Sequence, residues 1–325
     1  MRVAILYTPA EKDAPPQDLD GLVQLESVSD GLRKLGHEVF SIPCELNLES
    51  VRERLLQNNP DLVFNLVESV AGKDRLLHFA PALLEAMALP FTGSGLMAML
   101  LTTNKLEAKR AMHLDGLPTP GWLERNRVSP NYPKIGERVI VKSAWDHGSA
   151  GLDDDAVFVL EDFEETTFRL NELSAVPGDV WFCEQYIEGR EFNLSVLSGR
   201  SGPRVLPAAE IIFEGFASDR PRVVGYRAKW DTTSFEYAHT PRTFEFDPRD
   251  EPLIKRLEQL SRECWRLFGL RGFARVDFRV DESGEPWILE VNVNPCLSPD
   301  AGFAAALERA GITYSQGIAQ IIADI

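Results

Sequence analysis

The sequence predicts a chain of α/β and α+β class, and three observations carry that prediction. Over the first hundred residues short apolar runs alternate with segments whose apolar residues recur at helical spacing, the pattern of a parallel sheet covered by helices. A proline- and glycine-rich break, Leu117-Pro118-Thr119-Pro120-Gly121, then ends the helical pattern and marks a boundary. Near the C-terminus, Arg271 to Pro299 (RGFARVDFRVDESGEPWILEVNVNPCLSP) alternates apolar and polar residues on both sides of Asp281-Glu282-Ser283-Gly284, as two strands of a hairpin do.

Taken in order, Val3 to Tyr7 is a short apolar run and reads as the first strand. Leu22, Leu25, Val28, Leu32 and Leu35 follow at helical spacing as far as Gly36, a C-terminal stop. Val39 to Ile42 gives a second strand, Leu48 to Gln57 a short helix, Asp61 to Leu66 a third strand and Leu76 to Ala88 a further helix. Ligands of such sheets gather beyond the carboxyl ends of the strands, which singles out Glu68 in Val67-Glu68-Ser69. A solvated loop acid and a ligand-binding acid both remain open for it. Gly93-Ser94-Gly95-Leu96-Met97-Ala98 matches the GxGxxA dinucleotide pattern, but it follows only Pro90-Phe91-Thr92 and comes late in its domain. It reads as a tight turn into a helix beginning near Leu96.

Beyond the break, Glu137 to Lys142 is a strand ending in a lysine, followed by the small-residue loop Ser143 to Gly151. Backbone N–H groups of such a loop can approach phosphate oxygens, although the run is not a Walker A sequence. A flexible surface loop is the competing reading. His147 has no second histidine or cysteine beside it to share a metal, and Asp153-Asp154-Asp155 reads as a solvated charge run. Trp181 to Ile187, Glu191 to Ser198, Val205 to Phe213 and Val223 to Trp230 are expected as strands. Leu253, Leu257, Leu260, Cys264, Leu267 and Phe268 mark a long amphipathic helix, and Ala301 to Ala310 and Gln316 to Ile325 close the chain as helices.

The 325 residues suffice for two or three domains with substantial cores. With 34 Lys and Arg against 50 Asp and Glu, the net charge of −16 argues against nucleic acid or an anionic membrane as partner. An anionic substrate then needs locally clustered cations. Cys44, Cys183, Cys264 and Cys296 are scattered, with no CxxC pair or zinc-like spacing, so reduced thiols in the cytoplasm are expected. The opening MRVAILYTPAEKD has too short an apolar run for a signal peptide, and no stretch approaches the roughly 18 apolar residues of a membrane span. No GxSxG elbow, Ser/His/Asp triad or catalytic cysteine stands out.

Residues two apart share a strand face, so Arg275, Asp277 and Arg279 line one face of the hairpin, and Glu290, Asn292 and Asn294 line one face of its return strand. A register pairing Val280 with Trp287 sets Asp277 across from Glu290 and Arg275 across from Asn292. Facing carboxylates repel unless a cation lies between them. An all-oxygen set suits Mg²⁺, which takes one or two carboxylates with phosphate oxygens and water. A solvated face on which Arg275 and Arg279 neutralise the acids is the other reading.

Taken together, PFTGSG, TTNKLEAKR, GLPTP, RVIVK, EQYIEGREF, YRAKW, RGFARVDFRVDESG and ILEVNVNP resemble the ATP-grasp superfamily in consistent order, and within it the D-alanine–D-alanine ligase branch. The resemblance implies an ATP-grasp fold: a Rossmann-like domain over residues 1–100, a central subdomain with a phosphate lid over 101–183, and a C-terminal subdomain with the metal site over 184–325. ATP would lie between the last two. The resemblance further implies that Lys105, Lys142 and Lys229 meet phosphates and that Gly148 and Ser149 sit in the lid. Glu184, Gln185, Tyr186 and Ile187 would edge the adenine and Glu191 would meet the ribose. Asp277, Glu290 and Asn292 match magnesium ligands (two ions, with Mn²⁺ as a substitute), and Arg275 matches the arginine beside the reacting carboxylate. Arg275, Ser149 and Lys229 are thus the expected catalytic groups, for a reaction in which a carboxylate is phosphorylated and then captured by an amine.

The substrate end departs from that family's pattern. Tyr7-Thr8-Pro9-Ala10-Glu11 stands where the family has a Gly-Gly turn and a glutamate. Glu68 replaces a loop histidine, Trp230 a tyrosine, Ala150 a second lid serine, and Cys296 the glycine of the terminal Asn-rich motif that includes Asn294. These differences lead to the expectation of a carboxylate–amine ligase for another amino acid or a small peptide, with Glu68, and Glu26 on the first helix, receiving a substrate ammonium. Small-molecule partners and a homodimer are expected. An authentic D-alanine–D-alanine ligase, an ATP-binding pseudoenzyme and a nicotinamide oxidoreductase built on Gly93-Ser94-Gly95 are the rivals.

Overall fold

A computed structural model of the chain describes residues 1–125, 127–146, 148, 152–199 and 202–325. The first unit runs β1 (Arg2–Tyr7), α1 (Pro16–Lys34), β2 (Glu38–Pro43), α2 (Leu48–Asn58) and β3 (Leu62–Leu66). Its strands form a parallel sheet in the order β2-β1-β3. Alternate residues of β1 feed opposite layers: Val3 and Ile5 pack with Val28 and Leu32 of α1, while Ala4 and Leu6 pack with Val51 and Leu55 of α2. That double burial is why β1 and β3 read as apolar runs. The helix expected at 76–88 is a short 3₁₀ turn (Asp74–Leu76) followed by α3 (Phe79–Ala86).

The chain continues through α4 (Leu96–Thr103), α5 (Lys105–Leu114), β4 (Trp122–Leu123), β5 (Arg138–Ser143), β6 (Val157–Val159), α6 (Phe163–Leu173) and β7 (Trp181–Gln185). Asn104 separates α4 from α5, its side chain accepting from the backbone N–H groups of Leu106 and Glu107. The four strands form an antiparallel sheet in the order β4-β7-β5-β6. β7 spans the expected boundary between residues 183 and 184 and pairs with strands of this sheet alone.

The last unit contains β8 (Arg190–Leu197), β9 (Arg204–Val205), β10 (Ala209–Ile211), α7 (Tyr226–Trp230), α8 (Phe235–Ala238), β11 (Arg242–Thr243), α9 (Glu251–Leu267), β12 (Phe273–Val280), β13 (Pro286–Asn292), α10 (Gly302–Arg309) and α11 (Tyr314–Ile322). Its sheet has the order β11-β10-β8-β12-β13, with β9 also on β8. The inner face packs on α5 and α9 through Met112, Leu257, Leu260 and Cys264. The C-terminal helices leave this unit and cover the first sheet, where Phe303 and Ile318 join the layer of α1.

Two of the expected strands take another form. Val205–Phe213 is interrupted, because Pro207 has no N–H to give to the ladder, leaving β9 and β10 on either side of it. Val223 to Trp230 is not a strand: after Val223 and Val224 the chain turns at Gly225 into α7. The turn is forced by close approach, since a Cβ on Gly225 would lie 2.1 Å from the Leu152 carbonyl oxygen. Tyr226 N donates to that Leu152 carbonyl at 3.2 Å, so the backbone meets the central unit at this point and continues as one helical turn.

The glycine run at 93–95 is a packing joint. Gly272 has φ +69°, and a Cβ on it would lie 2.9 Å from both Cα and N of Gly93. A carboxylate oxygen of Glu85 accepts from Leu96 N at 2.8 Å, occupying the start of α4 where a dinucleotide's pyrophosphate would have to sit. Gly272→Ala is therefore expected to cost about 1–3 kcal/mol of stability. A thermal unfolding midpoint equal to that of the parent would contradict this joint.

Candidate active site

The three sheets converge on one cleft of about 630 Å³. It is bordered by α1 and the loop after β3 on one side, by β5 and the end of β7 on another, and by β12, β13 and α7 on the floor. Among the expected residues Glu68, Lys105, Lys142, Gly148, Glu184, Gln185, Tyr186, Ile187, Glu191, Lys229, Trp230, Arg275, Asp277, Glu290, Asn292, Asn294 and Cys296 all border it. Ser149 lies outside the described residues. Glu26 does not reach the cleft. It is exposed on α1, whose inward face carries Gln17, Asp20 and Gln24 at helical spacing, so position 26 points away.

The floor is the hairpin. Its register has Arg275 opposite Asn292 and Asp277 opposite Glu290. Toward the turn the register slips by one residue, so Val280 pairs with Pro286 and not with Trp287. The extra residue is Leu289, a bulge that leaves the pairs nearest the cleft as the alternation predicts while turning Leu289 toward the cavity. The Arg275 guanidinium grips Asp277 with two hydrogen bonds, at 2.7 and 2.8 Å, and Asn193 Nδ2 donates to the same carboxylate at 2.8 Å. Lys105 Nζ lies 3.5 Å from Glu290 Oε2 and also donates to the Asp146 carbonyl. Asn292 Oδ1 accepts from Asn294 N at 3.0 Å, and Asn294 Nδ2 ties this strand end to the Val67 carbonyl at 3.0 Å.

This face is enclosed, not solvated, but the arginine–acid pairing of the bland reading is partly present: Arg275 does neutralise Asp277. Arg279 instead turns to Glu191, 2.9 Å away, and to the Gly189 carbonyl at 3.1 Å. Burial disfavours the charge on Arg275, yet Asp277 and Glu290 outweigh it and hold the guanidinium firmly protonated. Among the described residues no group of three or more His, Cys, Asp and Glu gathers as a metal cage. Two carboxylates in direct register with an amide oxygen beside them suit a hard cation that completes its shell from phosphate and water.

The wall facing the hairpin is built on one buried carboxylate. Glu184 is 1% exposed and lies between Lys142, which donates to Oε1, and Lys109, whose Nζ is 2.8 Å from Oε2 as an ion pair outside hydrogen-bond alignment. Burial pushes the Glu184 carboxyl up, but the two ammonium groups outweigh it and hold it below the ordinary carboxylate range. Tyr186 faces away from bulk solvent with its hydroxyl bound to the Arg222 backbone at 2.7 and 3.1 Å. Burial raises the Glu191 carboxyl against the pull of Arg279, and burial lowers Lys229 against the pull of Glu290.

The end of the cleft beside α1 is acidic. Gln24 Nε2 donates to Glu68 at 2.8 Å, and burial, with Asp20, Asp74 and Asp18 nearby, pushes this carboxyl up to about 7. Cys296 Sγ donates to Asp20 at 3.0 Å, and Ser298 Oγ to the other oxygen of Asp20 at 2.9 Å. Burial raises the Cys296 thiol well above its usual range, so it is a neutral donor and not a nucleophile. Trp230 Nε1 donates to the Gly148 carbonyl at 3.2 Å, so the indole that stands in place of the family's tyrosine is tied to the segment after β5. Asp20, Gln24, Lys109, Thr119 and Asn193 were missed by the sequence reading. The polar stripe 17-20-24 on α1 and the i,i+4 pair Lys105–Lys109 on α5 were the available signals.

A family model described as D-ala D-ala ligase C-terminus matches residues 127–323. A D-alanine–D-alanine ligase of Moorella thermoacetica is 32% identical over 298 residues, covering 87% of this chain and 88% of its own. That of Carboxydothermus hydrogenoformans is 28% identical over 307 residues, covering 91% and 90%. The crystal structure of the D-alanine–D-alanine ligase from Bacillus anthracis complexed with ATP superposes with a TM-score of 0.71 at 20% identity, over 100% of this chain and 97% of that one, a likeness of fold.

Proposed function

The chain belongs to the D-alanine–D-alanine ligase family of ATP-grasp ligases, and from that premise we propose that it joins the carboxylate of one amino acid or small peptide to the amine of another through an acyl phosphate, with a preference other than D-alanine. In this reading the first sheet, the central sheet with β7 kept whole to Gln185, and the sheet that carries the hairpin are the cores of its three working units, and it acts in the cytoplasm as a homodimer. The observation that carries the chemistry is the Asp277–Glu290 pair on the floor of a cleft also bordered by Lys105, Lys142, Lys229 and Arg275.

A carboxylate and a triphosphate are both anionic and do not approach unaided. Lys105, Lys142 and Lys229 offset the phosphate charge. Held by Asp277, Glu290 and Asn292, Mg²⁺ (two ions, with Mn²⁺ as a substitute) supplies neutralisation of the phosphate oxygens in transfer. Arg275, anchored by Asp277, presents a permanent positive charge to the carboxylate as its oxygen bonds to the γ-phosphorus and ADP leaves. The same guanidinium faces the oxyanion that forms when the neutral amine attacks the acyl carbon, before phosphate departs and the nitrogen sheds its proton. Gly148, steadied by Trp230, covers the site and keeps water from the acyl phosphate.

The departure from D-alanine is read from Glu68, Trp230 and Cys296, which border the cleft where the family pattern has histidine, tyrosine and glycine. Glu68 and Asp20 are acids that in this reading receive a substrate ammonium, which D-alanine carries as well. Glu68, with its carboxyl near 7, is neutral below that pH and charged above it. The KM for the amino-acid substrate is therefore expected to rise as pH falls from 8 to 6, by about tenfold, since one unit below its pKa only about a tenth of the group is ionised. Glu68→Gln should raise KM at pH 8 and flatten that profile. An unchanged profile would exclude Glu68 as the receiver.

The likeness to D-alanine–D-alanine ligases favours a second reading, D-alanine itself as substrate. ADP release across a panel of amino acids, with mass spectrometry of the products, separates the two. Turnover with D-alanine alone would return the substrate to the second reading. Binding of Mg·ATP without ADP release on any carboxylate and amine would defeat both.

A further inference from the structure

Lys109 takes no part in the chemistry above. Of the buried cations Lys105, Lys109 and Arg279 it is the least exposed, at 1%. It does not border the cleft, whereas its neighbours Glu184 and Lys142 do. Its ammonium is fixed on two sides, 2.8 Å from Glu184 Oε2 and donating to Thr119 Oγ1 at 2.8 Å. Lys142 meets the other oxygen of Glu184 and keeps 13% of its side chain exposed toward the cavity.

Charge balance gives this arrangement a direction. A desolvated carboxylate balances one ammonium. With Lys142 as its sole partner, Glu184 would form a neutral pair and the lysine's charge would be consumed inside the protein. With Lys109 present the trio carries one net positive charge, and the member that reaches the cleft is Lys142. Thr119 fixes this geometry in space. Its hydroxyl donates to the Ile288 carbonyl at 3.0 Å while Ile288 N donates to the Pro118 carbonyl at 2.8 Å. The proline-rich break thereby clips β13 two residues before Glu290, joining the Lys109–Glu184–Lys142 trio to the strand that carries that carboxylate.

We propose that Lys109 is a positioning residue that neutralises Glu184 from behind, so that Lys142 meets the nucleotide's phosphates with its charge uncompensated. The inference rests on the reading of the cleft as an ATP site. It makes phosphate affinity depend on a residue that cannot touch phosphate.

The test is equilibrium titration of Mg·ATP, and separately of adenosine, into the unaltered protein, Lys109→Met and the double variant Lys109→Met/Glu184→Gln, with thermal unfolding of each. Lys109→Met is expected to weaken Mg·ATP binding by about tenfold or more, the scale of one lost charged contact, and to leave adenosine binding unchanged. The double variant buries no carboxylate at this position, which offsets the loss of the Lys109 ammonium and favours folding where the single variant is compromised. Its affinity for Mg·ATP relative to adenosine should be at least about threefold higher than in Lys109→Met, because Lys142 is released from Glu184 while a change at the adenine edge affects both ligands alike. Equal Mg·ATP affinity in Lys109→Met and the parent overturns the inference. So does adenosine binding that falls in step with ATP binding, or a double variant no better than the single one. Absence of Mg·ATP binding by the unaltered protein would instead contradict the ligase reading, and this inference with it.

Discussion

Asp277→Asn and Glu290→Gln should each lower kcat by about a thousandfold while the protein still folds, because each removes a charge at nearly constant volume from the place where phosphoryl transfer concentrates it. The two carboxylates stand opposite each other in the hairpin register, so neither can substitute for the other. In Asp277→Asn the guanidinium of Arg275 loses half of its bidentate grip but keeps the attraction of Glu290, which limits the damage to the fold. Steady-state ADP release checks the loss. Activity within a few-fold of the parent would contradict the metal assignment. Unfolding midpoints near the parent's would show that the loss is chemical.

Arg275 is expected to be nearly as sensitive. Arg275→Lys retains a positive charge but not the planar fork that binds both oxygens of Asp277, and a loss of about a hundredfold in kcat follows from the missing donor at the oxyanion. Arg275→Met removes the charge altogether and leaves Asp277 facing Glu290 with Lys105 and Lys229 as the nearby cations. That variant should gain more thermal stability from added Mg²⁺ than the parent does, since the ion then relieves a repulsion that Arg275 otherwise relieves. An equal Mg²⁺ response in both proteins would separate Arg275 from the metal site.

The hairpin shows how far the sequence could be read. Alternation put Arg275 and Asp277 on one face and Glu290 and Asn292 on one face, because face assignment depends only on the period of the strand. The pairing of Asp277 with Glu290 came from a register anchored on Val280 and Trp287 that the structure keeps only at the cleft end. The same reasoning failed toward the turn, where Leu289 bulges out. The bulge shifts the phase of burial by one residue, but Trp287, Ile288 and Leu289 are all apolar, so the polarity pattern does not report the shift. The strand expected over Val223–Trp230 is α7 because a tertiary contact at Gly225 overrode β-favouring residues, and no local pattern reports such a contact. Glu26 was misplaced by two helical positions, although the polar stripe Gln17, Asp20 and Gln24 was visible at the correct spacing.

Lys109 was overlooked for a different reason. A lysine on an amphipathic helix is ordinarily a solvated charge, and only the tertiary structure brings Glu184 from 75 residues further along to face it. Buried ion pairs between distant strands and helices are the part of a site that spacing and composition convey least. Most of the residues bordering the cleft, by contrast, were legible because they lie in short motifs with recognisable order along the chain, whereas Asp20 and Asn193, outside those motifs' expected roles, were not.

The central claim is that Asp277 and Glu290 share a divalent cation with a nucleotide's phosphates. It is tested most directly by a crystal structure with Mn²⁺ and a non-hydrolysable ATP analogue, using the anomalous signal of manganese to locate the ion. The account predicts an anomalous peak between the two carboxylates, about 2.0–2.3 Å from an oxygen of each and bonded also to phosphate. A nucleotide bound in the cleft with its metal elsewhere, and Asp277 still closed on Arg275 alone, would contradict it.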